Sequence, residues 1–181
     1  IRDSPTPLAS VASFFVSRVD SYTDQALERV GTEEALARRG TIAVANAKAA
    51  YLRYQELFEG DRFAALSERG VRTQRVLWAS TSTKNPEYRD VMYVEELIGP
   101  ATVNTAPPAT IDAFEDHGIV KQGSLLEDAR GAVEALRSLQ AIGVDFDEIT
   151  ARLQVDGVAS FADAYAGLLE TIESKQDILV R

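Results

Sequence analysis

An α/β fold organised on a parallel sheet is predicted, and three observations predict it. Three short segments read as strands, and the remainder reads as helix or turn. Each strand candidate is followed by helix, and that alternation is the grammar of parallel strands joined by right-handed crossovers. At 45% hydrophobic and 26% charged, 181 residues also carry enough apolar side chain for one ordinary globular core.

The first strand is Ala9 to Val16 (ASVASFFV), an apolar run without helical period that suits a strand buried on both faces. The second is Arg75 to Ser80 (RVLWAS). The third, Ala101 to Thr105 (ATVNT), is short, and its β-branched residues favour a strand.

Helix signals fill the gaps. Ser21 with Asp24 resembles a capping box, Thr32 before Glu33 and Glu34 starts a second helix, and Gly31 and Gly40 mark stops. Within Thr41 to Phe58, Val44, Ala47, Tyr51, Tyr54 and Phe58 recur at spacings of three and four, and Ile42, Ala45, Ala49 and Leu52 widen the apolar face, so this helix is mostly buried. Arg62 to Arg69 follows and ends at Gly70. After the second strand Asn85-Pro86 makes a turn, Tyr88 to Leu97 reads as helix, and Gly99-Pro100 stops it. Pro108 suits a first helical turn, which gives a helix to His117. The tail is helical: Ser124 with Glu127 and Asp145 with Glu148 read as capping boxes, Leu125 to Leu139 has one apolar face, and Phe161, Tyr165, Leu168 and Ile172 form a last stripe.

Composition excludes several classes. There is no cysteine, so disulfides and thiolate metal sites are unavailable, and a cytoplasmic location is expected. No run approaches the roughly 18 apolar residues of a membrane span, and Ile1-Arg2-Asp3-Ser4-Pro5 lacks the pattern of a signal peptide. A net charge of -9 disfavours nucleic acid and anionic membranes as partners, while a few converging cations can still hold a small phosphate. Three strands are too few to close a barrel, which needs eight. An initial Ile in place of Met agrees with that count, and both suggest a chain that begins inside a longer gene product.

Four stretches carry a family resemblance. SVASFFVSRVD from Ser10 to Asp20 resembles the sixth barrel strand and loop of transaldolases, and LWASTSTKNP from Leu77 to Pro86 resembles the seventh in the long bacterial branch. YVEELIGPATVNT with APPATIDAFEDHG, from Tyr93 to Gly118, resembles the stretch through the eighth strand and helix. DGVASFADAYAGLLETIE resembles the last helix. The resemblance implies the C-terminal part of a (β/α)8 TIM barrel, about three βα units, followed by extra C-terminal helices. Residues 1–122 would supply the βα units and residues 123–181 the helices packing on the barrel.

For the intact enzyme the resemblance implies transfer of a dihydroxyacetone unit between sugar phosphates, in the pentose phosphate pathway, through a lysine Schiff base. Sedoheptulose 7-phosphate, fructose 6-phosphate, glyceraldehyde 3-phosphate and erythrose 4-phosphate are the implied substrates. No metal and no organic cofactor is needed. The catalytic lysine, on the fourth strand, and its acid/base partners lie in the N-terminal half of the barrel, so no catalytic residue falls in this chain, which alone is expected to be inactive. What falls here is the phosphate end of the site: by motif, Ser13, Arg18 and Lys84 are the phosphate-binding residues. Arginine offers a planar bidentate grip and lysine a mobile point charge.

Each of these residues also has a plainer reading. Arg18 can cap a helix or pair with Asp20, Ser13 can be small for packing, and Lys84 can be a solvated loop lysine. Ser80 and Thr81 read as strand-end hydrogen bonders, His117 as a structural cation at a helix end, and Trp78 as core. Two other functions stay open. A lysine after a strand can form a Schiff base when burial lowers its pKa, which would make Lys84 the nucleophile of a different class I aldolase, although Ser82, Thr83, Asn85 and Glu87 surround it with a polar turn. Alternatively the chain is an inactive half-barrel or interaction module.

Overall fold

A computed structural model describes residues 8–179, which fall into two compact units divided after Val144. The first holds a three-stranded parallel sheet in the order β1 (Ser10–Phe15), β2 (Gln74–Ala79) and β3 (Thr102–Thr105). Ser13 pairs with Leu77, Phe15 with Ala79, and Ala79 with Thr105. Each strand lies within a residue or so of its expected span.

Four helices connect β1 to β2: α1 (Ser17–Val30), α2 (Glu33–Leu36), α3 (Ile42–Phe58) and α4 (Asp61–Ser67). Helix α5 (Met92–Glu96) precedes β3, and α6 (Pro108–His117) and α7 (Ala129–Ser138) follow it. The wide apolar face of α3 is buried as its periodicity predicts, with Ala47, Tyr51 and Tyr54 all inside, and α3 packs against α1, α4, α7 and β2. Tyr51, Tyr54, Phe58 and Phe63 follow one another at ring separations of 5.5, 5.2 and 5.0 Å, within the range of favourable aromatic pairs.

Alternation along the strands sorts the sheet into two faces. Phe14 and Trp78 share one, meeting edge to face at 5.8 Å, and Trp78 is fully buried there. Its indole N–H finds no acceptor among the described residues. Val11, Ser13 and Phe15 share the other face of β1, where Val11 and Phe15 are each about 40% exposed. The expectation of a strand buried on both faces is therefore corrected. Among the described strands β1 has one neighbour, and of its six residues only Phe14, the one against Trp78, is half-buried while the other five are exposed.

Three helix boundaries also differ from expectation, two because the signal residue bonds to a near neighbour and one because distant partners claim it. Helix α1 begins at Ser17, and Ser21 donates to the Ser17 carbonyl at 3.1 Å, the back-bonding of a serine inside a helix. Tyr88 to Leu97 is helical only over α5, because the Asn85 side chain accepts from Glu87 N and holds a turn. Ser124 is buried, donates to the Glu95 carbonyl and accepts from Ile98 N, so α7 is capped instead by Asp128, which accepts from Gly131 N. The Thr32 and Asp145 caps form as expected.

The second unit is the long helix α8 (Phe146–Leu179). Phe161, Tyr165, Leu168 and Ile172 line one face of it and are each more than half exposed. No helix among the described residues is long and apolar enough to cross a membrane.

Candidate functional site

The carboxyl ends of the three strands are stitched together by short hydrogen bonds. Val16 N donates to the Ala79 carbonyl at 2.9 Å and Ser17 N to the Ser80 carbonyl at 3.0 Å. The Ser17 and Ser80 hydroxyls lie 2.9 Å apart. Thr81, fully buried, donates to Asn104 Oδ1 at 2.9 Å, and Thr105 reaches the Trp78 carbonyl at 3.4 Å. Ser80 adopts a left-handed backbone, φ 58°, which costs a non-glycine residue about 1–3 kcal/mol. The two strand-end bonds to its carbonyl and hydroxyl hold it there.

These bonds fix the start of α1 beside the segment that leaves β2. Arg18, the second residue of α1, stands at this edge with its guanidinium carbon 5.1 Å from the centroid of the Phe15 ring, a cation–π distance. Among the described residues it has no ion pair. The plainer reading that pairs it with Asp20 is overturned, because Asp20 is buried and both of its oxygens are taken: Oδ1 accepts from Ala43 N at 2.7 Å and Oδ2 from the Tyr93 hydroxyl at 2.7 Å. The α1 amino terminus has no side-chain cap, so its partial positive charge adds to that of Arg18.

Lys84 lies five residues beyond the end of β2, exposed, with Nζ donating to Ser82 Oγ at 2.9 Å. It also has no ion pair among the described residues. Ser13 lies two residues before the end of β1, on the face it shares with Val11 and Phe15. The topology thus places Arg18 and the loop of Lys84 at the same edge of the sheet, with Ser13 on an adjoining strand face. Among the described residues no cluster of histidine and carboxylate side chains is arranged to hold a metal.

Behind this edge lies a buried polar network that the motifs do not reveal. Asp24 Oδ1 accepts from Gly40 N at 3.0 Å and Oδ2 from the Tyr88 hydroxyl at 2.6 Å, one helical turn beyond Asp20. Burial pushes the Asp20 carboxyl up to about 6, against the opposing pull of the Ala43 amide and the Tyr93 hydroxyl, and the Asp24 charge adds to the rise. Burial and the neighbouring carboxylates likewise raise Tyr88 and Tyr93 above the ordinary phenol range. A signal for the network was present in the sequence. Val16, Val19, Asp20, Thr23, Asp24 and Leu27 form one buried stripe at helical spacing, and two carboxylates inside an apolar stripe require buried donors.

Comparison with known proteins gives this arrangement its family. A profile described as Transaldolase/Fructose-6-phosphate aldolase matches residues 3–172. A transaldolase of Mycobacterium ulcerans (strain Agy99) is 50% identical over 173 residues, 95% of this chain and 46% of the relative. Transaldolase 1 of Streptomyces coelicolor is 48% identical over 168 residues, 93% of this chain and 44% of the relative. A transaldolase of Frankia alni is 50% identical over 165 residues, 91% of this chain and 44% of the relative. The chain spans about half the length of these curated relatives. The family's barrel architecture accounts for a three-stranded parallel sheet with many helices and polar side chains gathered at its carboxyl edge, and the chain belongs to the transaldolase/fructose-6-phosphate aldolase family.

Proposed function

We propose that this chain forms the phosphate-holding end of a transaldolase active site, within a protein that moves a dihydroxyacetone unit between sugar phosphates. The observation that carries this reading is Arg18: a guanidinium without a carboxylate partner among the described residues, at the strand ends where barrels of this kind carry their chemistry. An arginine so placed presents a planar fork of donors to a phosphate. Lys84 adds a point charge from the loop after β2, and Ser13 a hydroxyl from β1.

The chemistry assigned to the whole protein needs a lysine that lies outside these residues. Its amine attacks the carbonyl of fructose 6-phosphate or sedoheptulose 7-phosphate, and loss of water leaves a protonated imine. Cleavage of the adjacent carbon–carbon bond sends its electron pair into that imine and releases an aldose phosphate. The resulting enamine attacks the aldehyde of an acceptor such as glyceraldehyde 3-phosphate or erythrose 4-phosphate, and hydrolysis returns the lysine. The imine is the electron sink, so the scheme calls for no metal or organic cofactor. Arg18, Ser13 and Lys84 hold the phosphate through these steps. Lys84 is not assigned the nucleophile's part: it is exposed and bonded to Ser82, outside the dry pocket that activates an amine.

Borohydride reduction in the presence of fructose 6-phosphate tests the assignment. In the protein carrying a complete barrel, the reduced adduct maps to a lysine outside these 181 residues, and the 181-residue chain alone shows no turnover. An adduct on Lys84 that Lys84→Ala abolishes would make Lys84 the nucleophile and this chain an aldolase in its own right.

A further inference from the structure

We infer that Asp20 is a positioning residue for Arg18: by tying the first turn of α1 to the amino terminus of α3 and to Tyr93, it sets where the guanidinium meets phosphate. This rests on the reading of Arg18 given above. Arg18 has no ion pair among the described residues and lies over the Phe15 ring, so its location follows from how the first turn of α1 is held. That turn is held on two sides. Toward β2 the bonds are Val16 N to Ala79 and Ser17 N to Ser80. On the opposite side the fastening is Asp20, 2% exposed, with Ala43 N on one oxygen and the Tyr93 hydroxyl on the other.

The bond to Ala43 serves α3 as well. Thr41 precedes that helix but turns its hydroxyl back to the Arg38 carbonyl, so α3 has no local side-chain cap and takes one from Asp20. A carboxylate from one helix therefore caps the next, and α1 and α3 are set relative to each other by a bond that neither forms alone.

The test compares Asp20→Ala, Asp20→Asn, Tyr93→Phe and Arg18→Ala in the protein carrying the complete barrel, with fructose 6-phosphate and dihydroxyacetone as alternative donors. Misplacing a binding group by about 1 Å can cost up to roughly a hundredfold. Asp20→Ala is expected to raise KM for fructose 6-phosphate roughly tenfold, with kcat and the dihydroxyacetone KM changed less than about threefold. Asp20→Asn retains an oxygen for Ala43 N and recovers most of the loss. If Asp20→Ala does not fold, Tyr93→Phe carries the test, with a rise of roughly threefold confined to the phosphorylated donor. Equal losses for both donors in the Asp20 or Tyr93 variants, beside a selective loss in Arg18→Ala, overturn the inference and leave Asp20 a structural residue. Equal losses in Arg18→Ala overturn the phosphate reading, and the positioning role falls with it.

Discussion

Tyr93 donates its phenolic hydrogen to Oδ2 of Asp20 at 2.7 Å, across 73 residues of sequence, and Ala43 N donates to the other oxygen of the same carboxylate. Three elements, α1, α3 and α5, meet at one side chain. Tyr88 and Gly40 repeat the pattern on Asp24 one turn later, so the stripe that α1 buries is held by carboxylates as much as by Val19 and Leu27. Burying a charge is costly, and hydrogen bonds offset only part of that cost, which is why the Asp20 carboxyl is pushed up to about 6.

A pH dependence of stability follows. The folded-state value of about 6 lies above the ordinary 3.8, so the fold binds this proton more tightly than the unfolded chain does. The contribution is fully present below 3.8 and is lost as pH rises through 6. Asp20→Asn cannot titrate. The stability of the native protein minus that of Asp20→Asn should therefore fall between about pH 4 and 6, at up to about 1.4 kcal/mol per pH unit, and level off above. Urea denaturation of both proteins across this range measures it, and a difference independent of pH contradicts it.

Gly40 combines two constraints that a second glycine separates. At φ 71° it is left-handed, and a β-carbon there would come within 2.8 Å of the Tyr88 ring. Gly70, at φ 81°, has nothing within 4 Å. Gly70→Ala should cost only the backbone term, about 1–2 kcal/mol. Gly40→Ala should cost that plus about 1–3 kcal/mol from displacing Tyr88 and stranding Asp24. Equal destabilisation of the two variants in thermal or urea unfolding would show that Tyr88 yields freely.

His117 lies between two carboxylates, with Nε2 2.9 Å from Asp90 Oδ1 and Nδ1 3.1 Å from Asp116 Oδ2. Carboxylates only accept, so the imidazolium, with a proton on each nitrogen, is the form that satisfies both. These bonds raise the His117 value above 6.5, Asp90 contributing most, and hold Asp90 below the usual carboxylate range. The stability this group contributes is present below 6.5 and is lost as pH rises through the folded value. An NMR titration of the single histidine should give a midpoint above that of a free imidazole, and Asp90→Asn should lower it. A midpoint unmoved by Asp90→Asn contradicts the pairing.

Periodicity carried much of the fold. The spacing from Val44 to Phe58 predicted α3 and its buried face, Pro108 and Gly118 bracket α6 as expected, and the strand spans came from apolar and β-branched runs alone. What failed was local capping logic. Ser21, Asp24 and Ser124 have the right residue types for caps, yet their partners are Ser17, Gly40, Tyr88, Glu95 and Ile98, mostly reached through tertiary contacts that no short window contains. The exposure of Val11 and Phe15 on β1 is of the same kind, because burial depends on what lies against a strand and not on its own composition. For the site, residue types and family motif led to Ser13, Arg18 and Lys84. That Asp20 leaves Arg18 without an ion pair among the described residues is visible only in the structure, where both Asp20 oxygens are bonded elsewhere.

Arg18→Ala, assayed in the protein carrying the complete barrel with fructose 6-phosphate and with dihydroxyacetone, tests the central claim most directly. A charge-assisted contact made in both ground and transition states should be lost mainly as a higher KM for the phosphorylated donor, on the order of 1.5–3 kcal/mol in kcat/KM. Lys84→Ala should cost less, since a lysine contact lacks the bidentate geometry. Dihydroxyacetone has no phosphate to lose, so its kcat/KM should be nearly unchanged in both variants. An equal loss for the two donors in Arg18→Ala would mean that Arg18 supports the fold and does not hold phosphate.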